Sequence, residues 1–177
     1  IDPGAISSSG LKEKEIVLRA AKIIKQRLEK SDRYEVYLTR RRDVFVRLRK
    51  RFEKAQLKAA GLFISLHADS IENKNIRGMS IYTLSKNASS KEAARLAKKE
   101  NESELIAGVP YDVKHSSDPI VKRMILDFAK RGVKMAQEEQ TKKSKKLAKY
   151  LDQHLRKVGN MLLNSRRSGG FAVLKSP

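Results

Sequence analysis

The chain has 177 residues, roughly one domain, long enough to bury a core without disulfides or a structural metal. It contains no cysteine, which excludes a disulfide framework, cysteine-ligated zinc and a thiol nucleophile. Its 40 Lys and Arg against 20 Asp and Glu leave a formal charge of +20, which favours a polyanionic partner without choosing among nucleic acid, anionic lipid and a carboxylate- and phosphate-rich cell wall.

No apolar run approaches the roughly 20 residues that span a bilayer. No basic-then-apolar leader opens the chain, and the start at Ile1 reads as that of a processed or excised segment. From Leu11 to Leu28, Val17, Ala20, Ala21, Ile24 and Leu28 fall at helical spacing; Ile16 and Ile23 widen the stripe, and Glu13 and Glu15 sit in the first turn of this core-facing helix. Tyr34 to Thr39 alternates as a strand, and Arg40 to Asp43 reads as the turn after it. Val46, Leu48, Phe52, Ala55, Ala59 and Ala60 then mark a basic amphipathic helix that leads through Gly61 into the run Leu62 to Ser70. That short apolar run ends abruptly in His67-Ala68-Asp69-Ser70. It predicts a central strand whose C-terminal end presents polar groups, the edge at which open α/β sheets place ligands and catalytic groups.

A second apolar strand, Met79 to Leu84, follows a polar loop with Asn73, Asn75 and Gly78, and Ser89 to Leu105 reads as a helix. Asp118-Pro119 is a cap and first-turn signal for another helix carrying Ile120, Met124, Ile125, Phe128 and Val133. A third stripe runs Leu147, Leu151, Leu155, Val158 and Leu162, preceded by the polar run Glu138 to Lys146, which suits a solvated helix face, a break or a loop equally. Ser168-Gly169-Gly170 is a turn into a last strand, Phe171 to Leu174. The alternation predicts an α/β fold: a single twisted, mostly parallel or mixed sheet with helices on both faces. A helical insertion is required because Leu84 to Phe171 exceeds any ordinary crossover.

Glu13 alone is an ordinary acid at a helix N-terminus, and His67 alone an ordinary core or edge histidine. Taken together they are a carboxylate and an imidazole suited to one zinc ion with an open position for water. His115 and His154 read as surface residues.

The combination resembles the zinc-dependent N-acetylmuramoyl-L-alanine amidases of bacterial cell separation. Ile1-Asp2-Pro3-Gly4-Ala5-Ile6 and Gly10-Leu11-Lys12-Glu13-Lys14-Glu15 are similar to the family's Asp-Pro-Gly-Ala segment and the glutamate ligand at the next helix. Leu38-Thr39-Arg40, Arg51 and Ala55, the His67 strand, Arg77-Gly78 with Met79 to Leu84, Glu100-Asn101 and Phe171-Ala172-Val173-Leu174-Lys175 follow in the family's order. The resemblance implies that residues 1–177 form a single amidase catalytic domain with one Zn2+ ion held by Glu13 and His67. It implies cleavage of the amide between N-acetylmuramic acid and the L-alanine of the peptidoglycan stem by zinc-activated water, in a periplasmic or extracytoplasmic setting.

The family's first histidine ligand would fall just before Ile1 and its catalytic glutamate on a strand past Pro177, so a parent gene encoding both is expected; a second alignment puts Asp2-Pro3-Gly4 on an earlier Asp-Pro-Gly with the histidine stretch deleted. With two of three protein ligands and no general base, residues 1–177 alone are expected to bind zinc weakly and hydrolyse little. The resemblance also implies that residues from about Glu100 to Lys146 are an autoinhibitory lid released by a LytM-type activator, with Glu100, Glu102, Glu104, Glu138 and Glu139 as carboxylates for the open zinc position; an extra helical pair packed on the sheet fits as well. Two rivals stand beside the amidase: a basic nucleic-acid-binding module, motivated by Arg40-Arg41-Arg42, Arg47 to Arg51 and Lys142 to Lys146, and a non-catalytic wall-binding relative.

Overall fold

The computed structural model describes residues 3–69, 77–105 and 138–174. The chain divides into two compact units, one within Ile1–Ile76 and one within Arg77–Lys175.

In the first unit, α1 spans Glu13–Glu29 and α2 spans Leu48–Leu57. Helix α1 has no side-chain cap at Lys12. Its first amides are satisfied by the preceding chain instead: Glu13 N–H donates to the Ala5 carbonyl at 2.8 Å and Lys14 N–H to that of Pro3 at 3.2 Å, beside a lone antiparallel bridge between Ile6 and Lys12. The segment 3–6 is thereby laid across the start of α1. The expected core-facing stripe is only partly covered: Val17, Ala20, Ala21 and Leu28 are half-buried, while Ile16, Ile23 and Ile24 are exposed. Loop segments lie against this helix where a paired sheet was expected.

The strands expected at Tyr34 to Thr39 and Leu62 to Ser70 carry no ladder among the described residues. Side chains take the backbone groups that pairing would use. Val36 N–H donates to Glu29 Oε1 at 3.3 Å, the Val36 carbonyl accepts from Lys25 Nζ, and the Thr39 carbonyl accepts from Lys54 Nζ at 2.7 Å. Phe63 meets Phe52 of α2 edge-on, ring centroids 6.0 Å apart, and Leu48 is the buried apolar residue among those described in this unit.

The second unit is built on a parallel pair, β1 at Met79–Leu84 and β2 at Met161–Gly169. The register runs from Met79 against Met161 to Leu84 against Gly169, and a bulge puts Ile81 opposite Arg166; Asn164, at φ 54°, turns the chain inside it. Gly78 enters β1 at φ 148°, where a Cβ would stand 3.0 Å from the Leu162 amide nitrogen, so only glycine fits this approach. Helix α3, Lys91–Leu105, is capped by Ser90, whose Oγ accepts the Ala93 N–H at 3.1 Å. Ala93, Ala97, Ala148 and Phe171 are buried, and Phe171 stacks edge-on against Tyr82 of β1 at 5.2 Å. Helix α4 covers residues 138–155, so the polar run Glu138 to Lys146 is helical, most of it exposed.

The architecture is α/β, with parallel pairing in the ladder observed. Two expectations fail here. The third apolar stripe does not run on to Leu162: α4 ends at residue 155, before Gly159 and Asn160, and Leu162 lies in β2. Phe171 to Leu174 is not a strand; Ala172–Leu174 is a 3-10 turn in which Leu174 N–H reaches the Phe171 carbonyl. The helix expected from Asp118-Pro119 through Val133, and His115, lie outside the described residues.

Candidate metal centre

The N-terminal turn of α1 and the segment ending at Asp69 bring three side chains together. Glu13 Oε1 lies 3.2 Å from His67 Nδ1, and the ligand atoms of Glu13, His67 and Asp69 all fall within 4.8 Å of one another. Glu13 is mostly buried, His67 about one-third exposed and Asp69 exposed, so the group opens toward solvent.

The Glu13 carboxylate is held by main chain on both oxygens. Oε2 accepts the Ala5 N–H at 3.0 Å and Oε1 the Ala68 N–H at 2.9 Å. These bonds explain why the carboxylate sits where it does: the Ala5 amide comes from the segment bonded to the start of α1, and the Ala68 amide follows His67 directly. Gly4 makes the approach possible, since at φ 68° it adopts a left-handed conformation and a Cβ there would lie 2.6 Å from Glu13 Oε2. The hydrogen bond with His67 holds the Glu13 carboxyl down to about 2; burial opposes this, and the Ala5 and Ala68 amides reinforce it. Glu13 is therefore an anion at any physiological pH. The other ring nitrogen, His67 Nε2, lies 3.3 Å from Ser65 Oγ. The hydrogen bond to the Glu13 carboxylate places a proton on Nδ1; a metal ion would take that proton's place, and the proton on Nε2 would then face the Ser65 hydroxyl.

Two carboxylates and an imidazole on one opening have the composition of a divalent metal site. Asp69 was not among the ligands expected from the sequence. Its signal was there, because residues two apart on an extended segment share a face and Asp69 follows His67 at that spacing. Of the acids expected for a lid, Glu100, Glu102 and Glu104 are on α3 and Glu138 and Glu139 on α4, all in the second unit. Glu138 and Glu139 are exposed, and Glu139 pairs with Lys143 at 2.7 Å. A cavity among the described residues of the second unit is lined by alanines together with Lys86, Asn87, Lys98, Asn101 and Gly170, none of them a carboxylate or an imidazole.

An α/β chain with a helix-borne glutamate and a His-x-Asp segment meeting at one opening defines a protein with a candidate hydrolase-type metal centre. The chain belongs to the N-acetylmuramoyl-L-alanine amidase family, whose sequence profile matches residues 1–177. It is similar to the N-acetylmuramoyl-L-alanine amidases AmiC of Escherichia coli, at 36% identity, and AmiC of Neisseria meningitidis serogroup B, at 34%, over 99% of this chain and 40% of each relative. It is 33% identical to the Escherichia coli N-acetylmuramoyl-L-alanine amidase AmiA over 100% of this chain and 58% of that protein. The chain thus spans about two-fifths to three-fifths of the length of these relatives. Among the described residues no helix is long and apolar enough to cross a membrane.

Proposed function

We propose that this chain is the catalytic part of a peptidoglycan hydrolase that cleaves the amide between N-acetylmuramic acid and the L-alanine of the stem peptide, in cell-wall remodelling and daughter-cell separation. Family membership and the names of the relatives support the reaction class. The observation that carries the reading is the Glu13 carboxylate, oriented by two backbone amides and set 3.2 Å from His67 Nδ1.

That spacing fits zinc. Ligand oxygens and nitrogens at about 2.0–2.2 Å in a tetrahedral site stand about 3.4 Å apart. A bound zinc ion supplies a Lewis acid and a water whose pKa is brought near neutrality. The protein's own contribution is to present Glu13 as a fixed anion, to give His67 Nε2 a hydroxyl partner in Ser65, and to place Asp69 at the rim. The family resemblance implies a further histidine ligand and a proton-accepting glutamate besides these residues, so the test is made on the full-length parent protein. In this reading the enzyme works outside the cytoplasm on an anionic wall. Residues from about Glu100 to Lys146 form a lid whose candidate carboxylates are Glu100, Glu102, Glu104, Glu138 and Glu139, and a LytM-type activator displaces it.

The parent protein is expected to contain one zinc per chain by elemental analysis and to release stem peptides with a free L-alanine amine from purified sacculi. Both signals should fall together on chelation and return with zinc. Zinc-loaded protein that leaves the muramyl amide of activator-treated sacculi intact would defeat the proposal.

A further inference from the structure

The first unit carries a second feature whose chemistry the metal centre does not use. Residues 40–58 hold nine Lys and Arg against Asp43 and Glu53. Within that run the loop 40–43 is stapled to the first turn of α1 at Lys14, the residue after Glu13. Arg40 Nη2 donates to the Lys14 carbonyl, and Lys14 Nζ pairs with Asp43 Oδ2. The loop is closed on itself as well: the Arg42 carbonyl accepts from Arg40 Nη1 at 3.4 Å and from the Val44 amide at 2.9 Å. Arg40 and Asp43 are thus spent on fixing the loop beside the Glu13–His67 group.

Arg41 and Arg42, between them, are exposed, and neither guanidinium has an ion-pair partner among the described residues. Arg41 stands in the field of Glu29, but that carboxylate is already taken by Lys25. The adjoining helix compounds the excess. Arg47 occupies the N-cap of α2, and the first turn of that helix has no acid. Cations at a helix N-terminus oppose the macrodipole, so helix stability gives no reason for this arrangement, and binding an anion does.

We propose that Arg41 and Arg42, together with Arg47 at the N-cap of α2, form an anion-binding element that takes the carboxylates of the stem peptide whose muramyl amide is cut at the Glu13–His67 centre. This rests on the amidase reading above and deepens it by assigning the peptide side of the substrate. The reach is right: an extended stem of four or five residues spans about 13–18 Å, enough to run from the centre to a loop anchored one residue beyond Glu13. Arginine suits the task, because its planar fork matches a carboxylate in two parallel hydrogen bonds. The stapling to Lys14 favours a substrate contact over a general polyanion surface, which would need no fixed relation to the metal group.

The test is calorimetric binding of a free stem tetrapeptide and of its carboxylate-amidated counterpart to the parent protein, to the double variant Arg41→Gln with Arg42→Gln, and to the double variant Arg41→Lys with Arg42→Lys. Two partly exposed ion pairs predict about tenfold weaker binding of the acidic peptide to the glutamine variant, within about twofold for the amidated one. The lysine variant should fall between, since it keeps charge and loses the fork. KM for muramyl-tetrapeptide should rise in parallel with the dissociation constant. Equal affinity in parent and glutamine variant, an equal loss on both peptides, or a loss seen only with duplex DNA or polyphosphate overturns the inference. Hydrolysis of sacculi with arginine-independent peptide binding removes this inference and leaves the amidase standing. Arginine-dependent binding of the acidic peptide without hydrolysis does the reverse.

Discussion

Among the described residues, two carboxylates are held down in pKa and largely withdrawn from solvent, and they are satisfied in opposite ways. Asp152, near the end of α4, is saturated by side chains. Ser165 Oγ donates to Oδ1, Arg156 reaches both oxygens at 3.1 and 3.3 Å and also donates to Ser165 Oγ at 2.8 Å, and Arg166 stands 4.0 Å away. Glu13 is held by two peptide N–H groups and one imidazole, with Asp69, a further anion, close by. A cation is already built into the first arrangement. In the second, negative charge is gathered and oriented with no Lys or Arg on the carboxylate in the contacts described, the arrangement that the proposed metal ion would complete. Charge balance thus separates a carboxylate that ties α4 to β2 from one prepared for a ligand.

The sharpest way to break that contrast is to remove the donors. In the parent protein, Glu13→Ala and His67→Ala should each lower zinc affinity and amidase rate by about 100-fold or more, because a tetrahedral site cannot close with a protein ligand missing. Elemental analysis after dialysis against a competing chelator, run beside the sacculus assay, checks both. Zinc retained at parental affinity in either variant would show that this pair is structural, as Asp152 is. Gly4→Ala tests the orientation alone. A Cβ at Gly4 meets Glu13 Oε2 at 2.6 Å in a left-handed backbone, so the carboxylate must move while every ligand remains, and zinc affinity should drop about 10- to 100-fold, the usual cost of disturbing a supporting contact.

The same contrast explains what could be read in the chain before its fold was known. Glu13 was legible because it opens a strongly periodic helix, and His67 because it ends an apolar run; their meeting rests on the similarity of the surrounding segments, since a separation of 54 positions carries no local signal. Met79 to Leu84 was legible as a strand from its own apolar content. β2 was not, because Asn164-Ser165-Arg166-Arg167-Ser168 looks like a loop until Asp152 is placed opposite Ser165 and Arg156. Tyr34 to Thr39 alternates as a strand should, yet its backbone is bonded by Glu29, Lys25 and Lys54. Pairing is non-local, and periodicity reports only the readiness to pair.

Ser165→Ala probes the saturated carboxylate. Ser165 is 2% exposed and donates directly to Asp152, so losing the hydroxyl should cost about 1–2 kcal/mol, seen as a fall of about 2–6 °C in Tm. The sign of its pH dependence follows from Asp152, whose pKa lies below the usual aspartate range, chiefly through the Ser165 hydrogen bond and then Arg156. A carboxyl whose pKa is lower folded than unfolded stabilises the fold above its unfolded pKa, near 3.9, and loses that contribution as pH falls through the folded value. The gap between parent and Ser165→Ala should therefore be full at neutral pH and narrow below about pH 4. A gap that widens in acid would show that Ser165 acts by packing and not through the Asp152 anion.

Glu139 supplies the smallest effect and a third kind of carboxylate, neither saturated nor gathered. Its partner Lys143 lies one helical turn on, the two side chains are 66% and 64% exposed, and water competes fully for both charges. Such a pair contributes little to folding, so Glu139→Ala should leave Tm within about 1 °C. Any larger consequence must come from outside the helix. If Glu139 is the acid that fills the open metal position in the resting parent protein, the substitution should raise the activator-free amidase rate several-fold while leaving zinc content and Tm unchanged. A rate equal to that of the parent removes Glu139 from the lid and passes the same test to Glu138, its exposed neighbour on α4.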